Sequence, residues 1–136
     1  MKQIKSSSHG VYRLSYHLML VTKYRRKSIN IAMLENLRGI LTDLCEKWGC
    51  VLLEFSGEAD HVHMLFDTPP TVEPVKFVNN LKTVSSRLSR RDHAEHLAQF
   101  YRKPVLWTAS YAIFTTGGAP LEVIKQYIIG QRRPSE

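Results

Sequence analysis

The chain has 136 residues, 43% of them hydrophobic and 23% charged, with 19 Lys and Arg against 12 Asp and Glu for a formal charge of +7. That length suits one domain with one core, the composition is that of a soluble globular protein, and no apolar run approaches the roughly 20 residues of a membrane span. The excess positive charge favours a polyanionic partner, because each neutralised phosphate releases condensed counterions. The polar start, Met1 to Ser8, lacks the apolar stretch of a signal peptide. Cys45 and Cys50 have no motif around them, so a reduced pair in a cytoplasmic protein is expected. Residues 1–9 read as a tail to a single domain spanning 1–136.

Val11 to Thr22 places Tyr12, Leu14, Tyr16, Leu18 and Leu20 at period two, which predicts a long strand with Arg13, Ser15 and His17 on its polar side. From Ile31 to Trp48, Leu34, Leu37, Ile40, Leu41, Leu44 and Trp48 recur at three and four residues, an amphipathic helix stopped by Gly49. Val51–Ser56 and His61–Asp67 read as two strands joined across Gly57 to Asp60. Pro74 fits the first turn of a second helix reaching about Arg90 and burying Val75, Val78, Leu81, Val84 and Leu88. Asp92 to Phe100 adds a short helix, Ser110–Thr116 a fourth strand, Gly117-Gly118 a turn, and Pro120 to about Gly130 a last helix.

This β-α-β-β-α-β-α order predicts an α+β, ferredoxin-like (RRM-like) four-stranded antiparallel sheet with two helices on one face, plus a C-terminal helix. The other sheet face would be open. Many functions share that architecture, so function must come from particular residues.

His61 and His63 are two apart in a predicted strand, so both side chains point to one face, while Val62, Met64 and Phe66 point to the core. Two adjacent imidazoles can hold a divalent ion, but an isolated pair is more often just a pair of hydrogen-bonded histidines. Tyr127 and Gln131 lie four apart and share a stripe of the last helix. Basic residues fall in groups: Lys23, Arg25, Arg26 and Lys27 with Tyr24 among them, then Lys82, Arg87, Arg90 and Arg91, then Arg132 and Arg133. Charge interleaved with an aromatic suits phosphate contact and base stacking. His17 reads as structural, His93 and His96 as solvated, and Asp60 as a possible support for the neighbouring histidine.

Together, His61-Val62-His63 and Tyr127-Ile128-Ile129-Gly130-Gln131 resemble the single-tyrosine, His-hydrophobic-His transposases of the smallest bacterial and archaeal insertion sequences. The resemblance extends through His17-Leu18-Met19-Leu20-Val21-Thr22-Lys23-Tyr24-Arg25-Arg26, through Asp60 to Leu65, through Leu106 to Tyr111, and through Thr116-Gly117-Gly118-Ala119-Pro120-Leu121-Glu122. It implies Tyr127 as the nucleophile on a catalytic helix over 119–131, with Mg²⁺ or Mn²⁺ held by His61, His63 and Gln131. It implies cleavage and rejoining of single-stranded DNA through a 5′-phosphotyrosine, on substrates with hairpin ends. It also implies a homodimer, in which the helix bearing Tyr127 can serve the histidines of its own subunit or dock against those of the partner. Lys23, Tyr24, Arg25, Arg26, Lys82, Arg87, Arg90 and Arg91 are the candidate DNA contacts. Replication nickases share the histidine pair but are usually larger, a histidine-triad hydrolase would need another histidine where Met64-Leu65 stands, and intact His61, His63, Tyr127 and Gln131 weigh against a noncatalytic single-strand-binding or regulatory descendant.

Overall fold

A computed structural model describes residues 6–7, 10–11 and 13–116 of the chain. The elements in order are β1 (Ser6–Ser7), β2 (Gly10–Val11), β3 (Leu14–Thr22), α1 (Ile31–Lys47), β4 (Val51–Glu58), β5 (His61–Thr68), α2 (Pro74–Asp92), α3 (Ala94–Ala98) and β6 (Trp107–Thr115). The backbone of β1, inside the stretch read from sequence as a tail, pairs with β2 just after it as a short antiparallel ribbon. The other four strands form one antiparallel sheet in the order β4-β5-β3-β6, the ferredoxin-like arrangement expected. The expected last helix lies outside the described residues.

Alternation along β3 and β5 sends Leu18, Leu20, Val62, Met64 and Phe66 into the core, where Met33, Leu37 and Leu41 of α1 and Phe77, Val78 and Leu81 of α2 meet them. Phe66 and Phe77 pack at a ring separation of 5.1 Å, and Trp48 tilts against Phe77 at 5.4 Å. The helix α1 begins where the Asn30 side chain accepts a hydrogen bond from the Met33 amide at 2.8 Å, the usual N-cap device. It ends at Gly49, whose φ of 74° is the left-handed conformation that stops a helix at little steric cost. Cys45 and Cys50 are free thiols buried beside this end. Burial raises Cys45 to about 12 and Cys50 to about 11, so both keep their protons at neutral pH.

Two expectations are corrected. The buried stripe of α2 is Phe77, Val78, Leu81, Ser85 and Ser89, whereas Val75 is 57% exposed and Val84 only partly buried. The helix is rotated because Ser85 packs inward to accept a hydrogen bond from the Trp107 indole at 2.9 Å. The β4–β5 hairpin is also tighter than expected. Its strands run to Glu58 and from His61, leaving only Ala59 and Asp60 between them. Gly57 is therefore a strand residue paired with Val62, and Ser56 lies opposite His63.

Candidate functional site

Because β5 alternates, His61 and His63 both leave the sheet on the face away from α1 and α2, and both are partly exposed. Their rings are nearly parallel, 6.2 Å apart and 18° between planes. His17 on β3 continues the row, stacking on His63 at 5.4 Å. The registers explain this: Met19 is opposite His63 and His17 opposite Leu65, so His17 is the diagonal neighbour that can still reach an aromatic ring. His17 is 1% exposed, so this face is only partly open to solvent.

Each of the paired histidines has a polar partner. The Ser56 hydroxyl lies 2.8 Å from His63 Nε2 across the β4–β5 ladder. His61 Nδ1 lies 2.9 Å from Asp60 Oδ1. An ionised carboxylate only accepts, so Nδ1 donates to it, and in the neutral ring Nε2 is then the nitrogen with its lone pair available, on the opposite edge. That is how ligating histidines are commonly held, by a carboxylate behind the imidazole. Asp60 is itself buried in the tight turn, and its backbone carbonyl accepts from the Thr22 amide at 3.0 Å. Its other carboxylate oxygen faces the Arg25 guanidinium at 3.4 Å.

Among the described residues no three His, Cys, Asp or Glu side chains converge to hold an ion by themselves. A third protein donor to a metal at His61 and His63 is therefore either of another kind or outside the described residues, and the glutamine amide oxygen expected at Gln131 is both. Gln131 and Tyr127 both lie outside the described residues. The imidazole and amide donors fit a divalent first-row ion such as Mn²⁺ better than they fit Mg²⁺, which prefers oxygen.

Lys23 to Arg25 form a 3-10 turn directly after β3. Tyr24 and Arg25 both take left-handed backbone angles, with φ of 61° and 54°, a conformation that costs a non-glycine residue energy and needs support from its surroundings. Tyr101 provides some of it, its hydroxyl donating to the Lys23 carbonyl at 3.0 Å. His96 of α3 contacts the Ser28 carbonyl at 2.8 Å in a partly buried hydrogen bond, whereas His93 meets the Asn36 amide at 2.7 Å on the exposed surface. The turn pushes Tyr24 outward, 68% exposed, with Lys23 Nζ 5.3 Å and the Arg26 guanidinium 5.0 Å from its ring centre. Arg26 also donates to the Phe100 carbonyl.

The predicted contacts on α2 separate on inspection. Lys82 Nζ donates to the carbonyls of Thr108 and Ala109, both at 2.8 Å. There β6 slips its register, since two steps of β3 from Leu20 to Thr22 match four of β6 from Tyr111 to Trp107. Burial lowers the Lys82 pKa. Arg91 is exposed and pairs with Asp92 through two hydrogen bonds, 2.7 and 3.2 Å. Arg90 Nε donates to Ser86 Oγ at 3.2 Å, and Arg87 is exposed. Lys82, Ser86, Arg90 and Trp107 line a groove of about 290 Å³. Sequence reasoning missed Ser56 as a partner of His63 and the inward turn of Arg25. Only the correct hairpin register would have revealed the first.

The family model describing IS200-like transposases matches residues 10–131. The chain is 32% identical over 113 residues to the transposase of insertion element IS200 from Salmonella typhimurium, covering 83% of this chain and 74% of that one. It is 29% identical over 129 residues to the ISDra2 transposase TnpA of Deinococcus radiodurans, covering 95% and 91%. A crystal structure described as a candidate transposase from Deinococcus radiodurans superposes with a TM-score of 0.79 at 31% identity, over 96% of this chain and all of that one. The fold, though not the sequence, is shared with a REP-associated tyrosine transposase solved on a REP hairpin, at TM-score 0.59 and 8% identity, over 94% of this chain and 66% of that one.

Proposed function

Because this chain belongs to the IS200-like transposase family, we propose that it cuts and rejoins single-stranded DNA at insertion-sequence ends, using Tyr127 as nucleophile and a divalent ion at His61, His63 and Gln131. Membership makes it a DNA-binding transposase, with the cleavage and transfer of DNA strands as its chemistry. No helix among the described residues is long and apolar enough to cross a membrane. The observation that carries the finer reading is the His61–His63 pair, two near-parallel imidazoles on one sheet face with Asp60 behind the first.

The Tyr127 phenolate oxygen attacks phosphorus and the P–O3′ bond breaks. The products are a 5′-phosphotyrosine and a strand whose 3′ oxygen takes up a proton. The covalent link conserves the phosphodiester, so a second 3′-OH reverses the step on a new strand without an external energy source. A free tyrosine has a pKa near 10, so only about one in a thousand is ionised at pH 7 and the site must favour the phenolate. When bound, Mg²⁺ or Mn²⁺ would supply Lewis-acid polarisation of the scissile phosphate and stabilise charge on the leaving oxygen. His61 and His63 hold positions on the sheet for that ion, and Gln131 would complete them from the helix. Tyr24 and the cations around it supply a stacking surface and phosphate contacts for the strand. The hairpin substrate, and a homodimer in which Tyr127 acts within its own subunit or on the partner's site, are what the family resemblance implies.

The test is a denaturing gel of the protein with a labelled single strand carrying its element's end hairpin, with Mg²⁺ or Mn²⁺. We expect a covalent protein–DNA adduct that disappears in Tyr127→Phe and in the presence of a chelator. An equal adduct from Tyr127→Phe would remove that residue as the nucleophile. Binding without any adduct from the native chain would instead favour a noncatalytic single-strand-binding protein.

A further inference from the structure

Arg25 sits within the most basic stretch of the chain, yet its side chain turns away from the Lys23–Tyr24–Arg26 surface and is only 23% exposed. Its Nη2 points at Asp60 Oδ2 at 3.4 Å, while Asp60 Oδ1 takes His61 Nδ1 at 2.9 Å. The first distance is long for a hydrogen bond, so charge pairing is its main component. The carboxylate is thus bridged, with one oxygen to the guanidinium and one to the imidazole. The bridge exists because the backbone at Tyr24 and Arg25 is left-handed, which reverses the chain and sends Arg25 inward. A costly conformation kept at such a point belongs with a positioning task.

We propose that Arg25 is a positioning residue and not a phosphate contact: by holding one oxygen of Asp60 it fixes the other on His61, locking that imidazole as the Nδ1–H tautomer with Nε2 free for the ion. The inference rests on the reading of His61 as a metal ligand. It makes an unusual demand on Asp60→Asn. Arg25 can only donate, so it captures the amide oxygen and leaves the amide NH₂ facing His61. That NH₂ requires Nδ1 to accept, which moves the imidazole proton to Nε2 and removes the metal's lone pair. With Arg25→Met in the same chain the guanidinium no longer claims the amide oxygen, which can swing back to His61, and the Nδ1–H tautomer returns.

The test uses the full chain, Mn²⁺ alone as the probe, and nitrogen NMR of the His61 ring in the metal-free protein. Asp60→Asn should convert His61 to the Nε2–H tautomer and weaken Mn²⁺ binding by about 10- to 100-fold. Adding Arg25→Met should restore the tautomer and part of the affinity, an epistasis that general loss of packing would not produce. Arg25→Met alone should leave the salt dependence of metal-free single-strand binding as in the native chain. Native tautomer and affinity in Asp60→Asn would overturn the proposal, as would a shallower salt dependence in Arg25→Met. His61→Ala separates the two readings. If it abolishes Mn²⁺ binding while Asp60→Asn does not, only the positioning role fails; if it leaves binding unchanged, the metal assignment fails as well.

Discussion

At Gly57 a single hydrogen decides how close two strands and a helix can come. A β-carbon built there would lie 2.8 Å from the His61 carbonyl oxygen, 2.8 Å from Val62 Cγ1 and 3.0 Å from Leu34 Cδ1. Leu34 Cδ1 can rotate aside, but the His61 oxygen belongs to the backbone of β5. Gly57→Ala should therefore cost about 1–3 kcal/mol, the usual range for overpacking, measured as a lower denaturant midpoint. Because the obstructing atom is on His61 itself, Mn²⁺ affinity should fall in the same variant. Stability loss with native Mn²⁺ affinity would show that the strand yields elsewhere. From sequence, Gly57 reads as a turn residue, since glycine before Glu-Ala-Asp between two apolar runs is an ordinary loop signal. Nothing in composition distinguishes a glycine needed for turning from one needed for close approach. A four-residue connection over 57–60 would also have set Ser56 opposite His61. The two-residue turn sets it opposite His63 instead, so a slip of the hairpin changes the partners of both candidate ligands. By contrast, that His61 and His63 share a face was legible at once, because it depends only on strand alternation.

Among the elements, α2 shows most clearly where pattern and packing part. Its limits are close to those predicted, with Pro74 in the first turn, but its inward stripe contains Ser85 and Ser89. A hydrophobic reading passes over serines and chooses the neighbouring Val84 and Leu88, turning the helix by about one position. The cost of that error falls on Phe77. Its ring, fully buried, packs against both Phe66 and Trp48, and α2 meets the sheet through it. Phe77→Ala should destabilise the fold by about 3–5 kcal/mol, while Val75→Ala, on the exposed side, should stay within about 0.5 kcal/mol. Both are read from equilibrium unfolding. Comparable costs at the two positions would contradict the orientation of the helix described above. The same docking holds Trp107 through Ser85 and the slipped segment of β6 through Lys82, so α2 also sets where β6 meets β3.

Across the whole molecule, the excess of positive charge points to nucleic acid, but it does not say which cations meet it. Two of the eight predicted contacts, Arg25 and Lys82, are bound inside the fold to Asp60 and to the β6 carbonyls. Arg91 is matched by Asp92 beside it. Lys23, Tyr24 and Arg26 form a cluster just past the end of β3, at the His61 end of the row of histidines. The architecture was legible because each element's type and the length of its connections fix the strand order. The division of the cations was not, because it depends on where a left-handed turn and a register slip aim long side chains. Salt dependence measures that division directly. Each phosphate neutralised on a single strand contributes about 0.7 to the slope of log affinity against log salt. Replacing Lys23 and Arg26 together by Gln should make that slope shallower by about 1.4, measured on metal-free protein so that cleavage does not intervene. Lys82→Gln should leave the slope unchanged and lower thermal stability instead, because its ammonium is spent on Thr108 and Ala109. If Lys82→Gln flattened the slope as much as loss of one surface cation does, the strand would have to reach the groove between α2 and Trp107. The path of the DNA would then follow α2 and not the turn after β3.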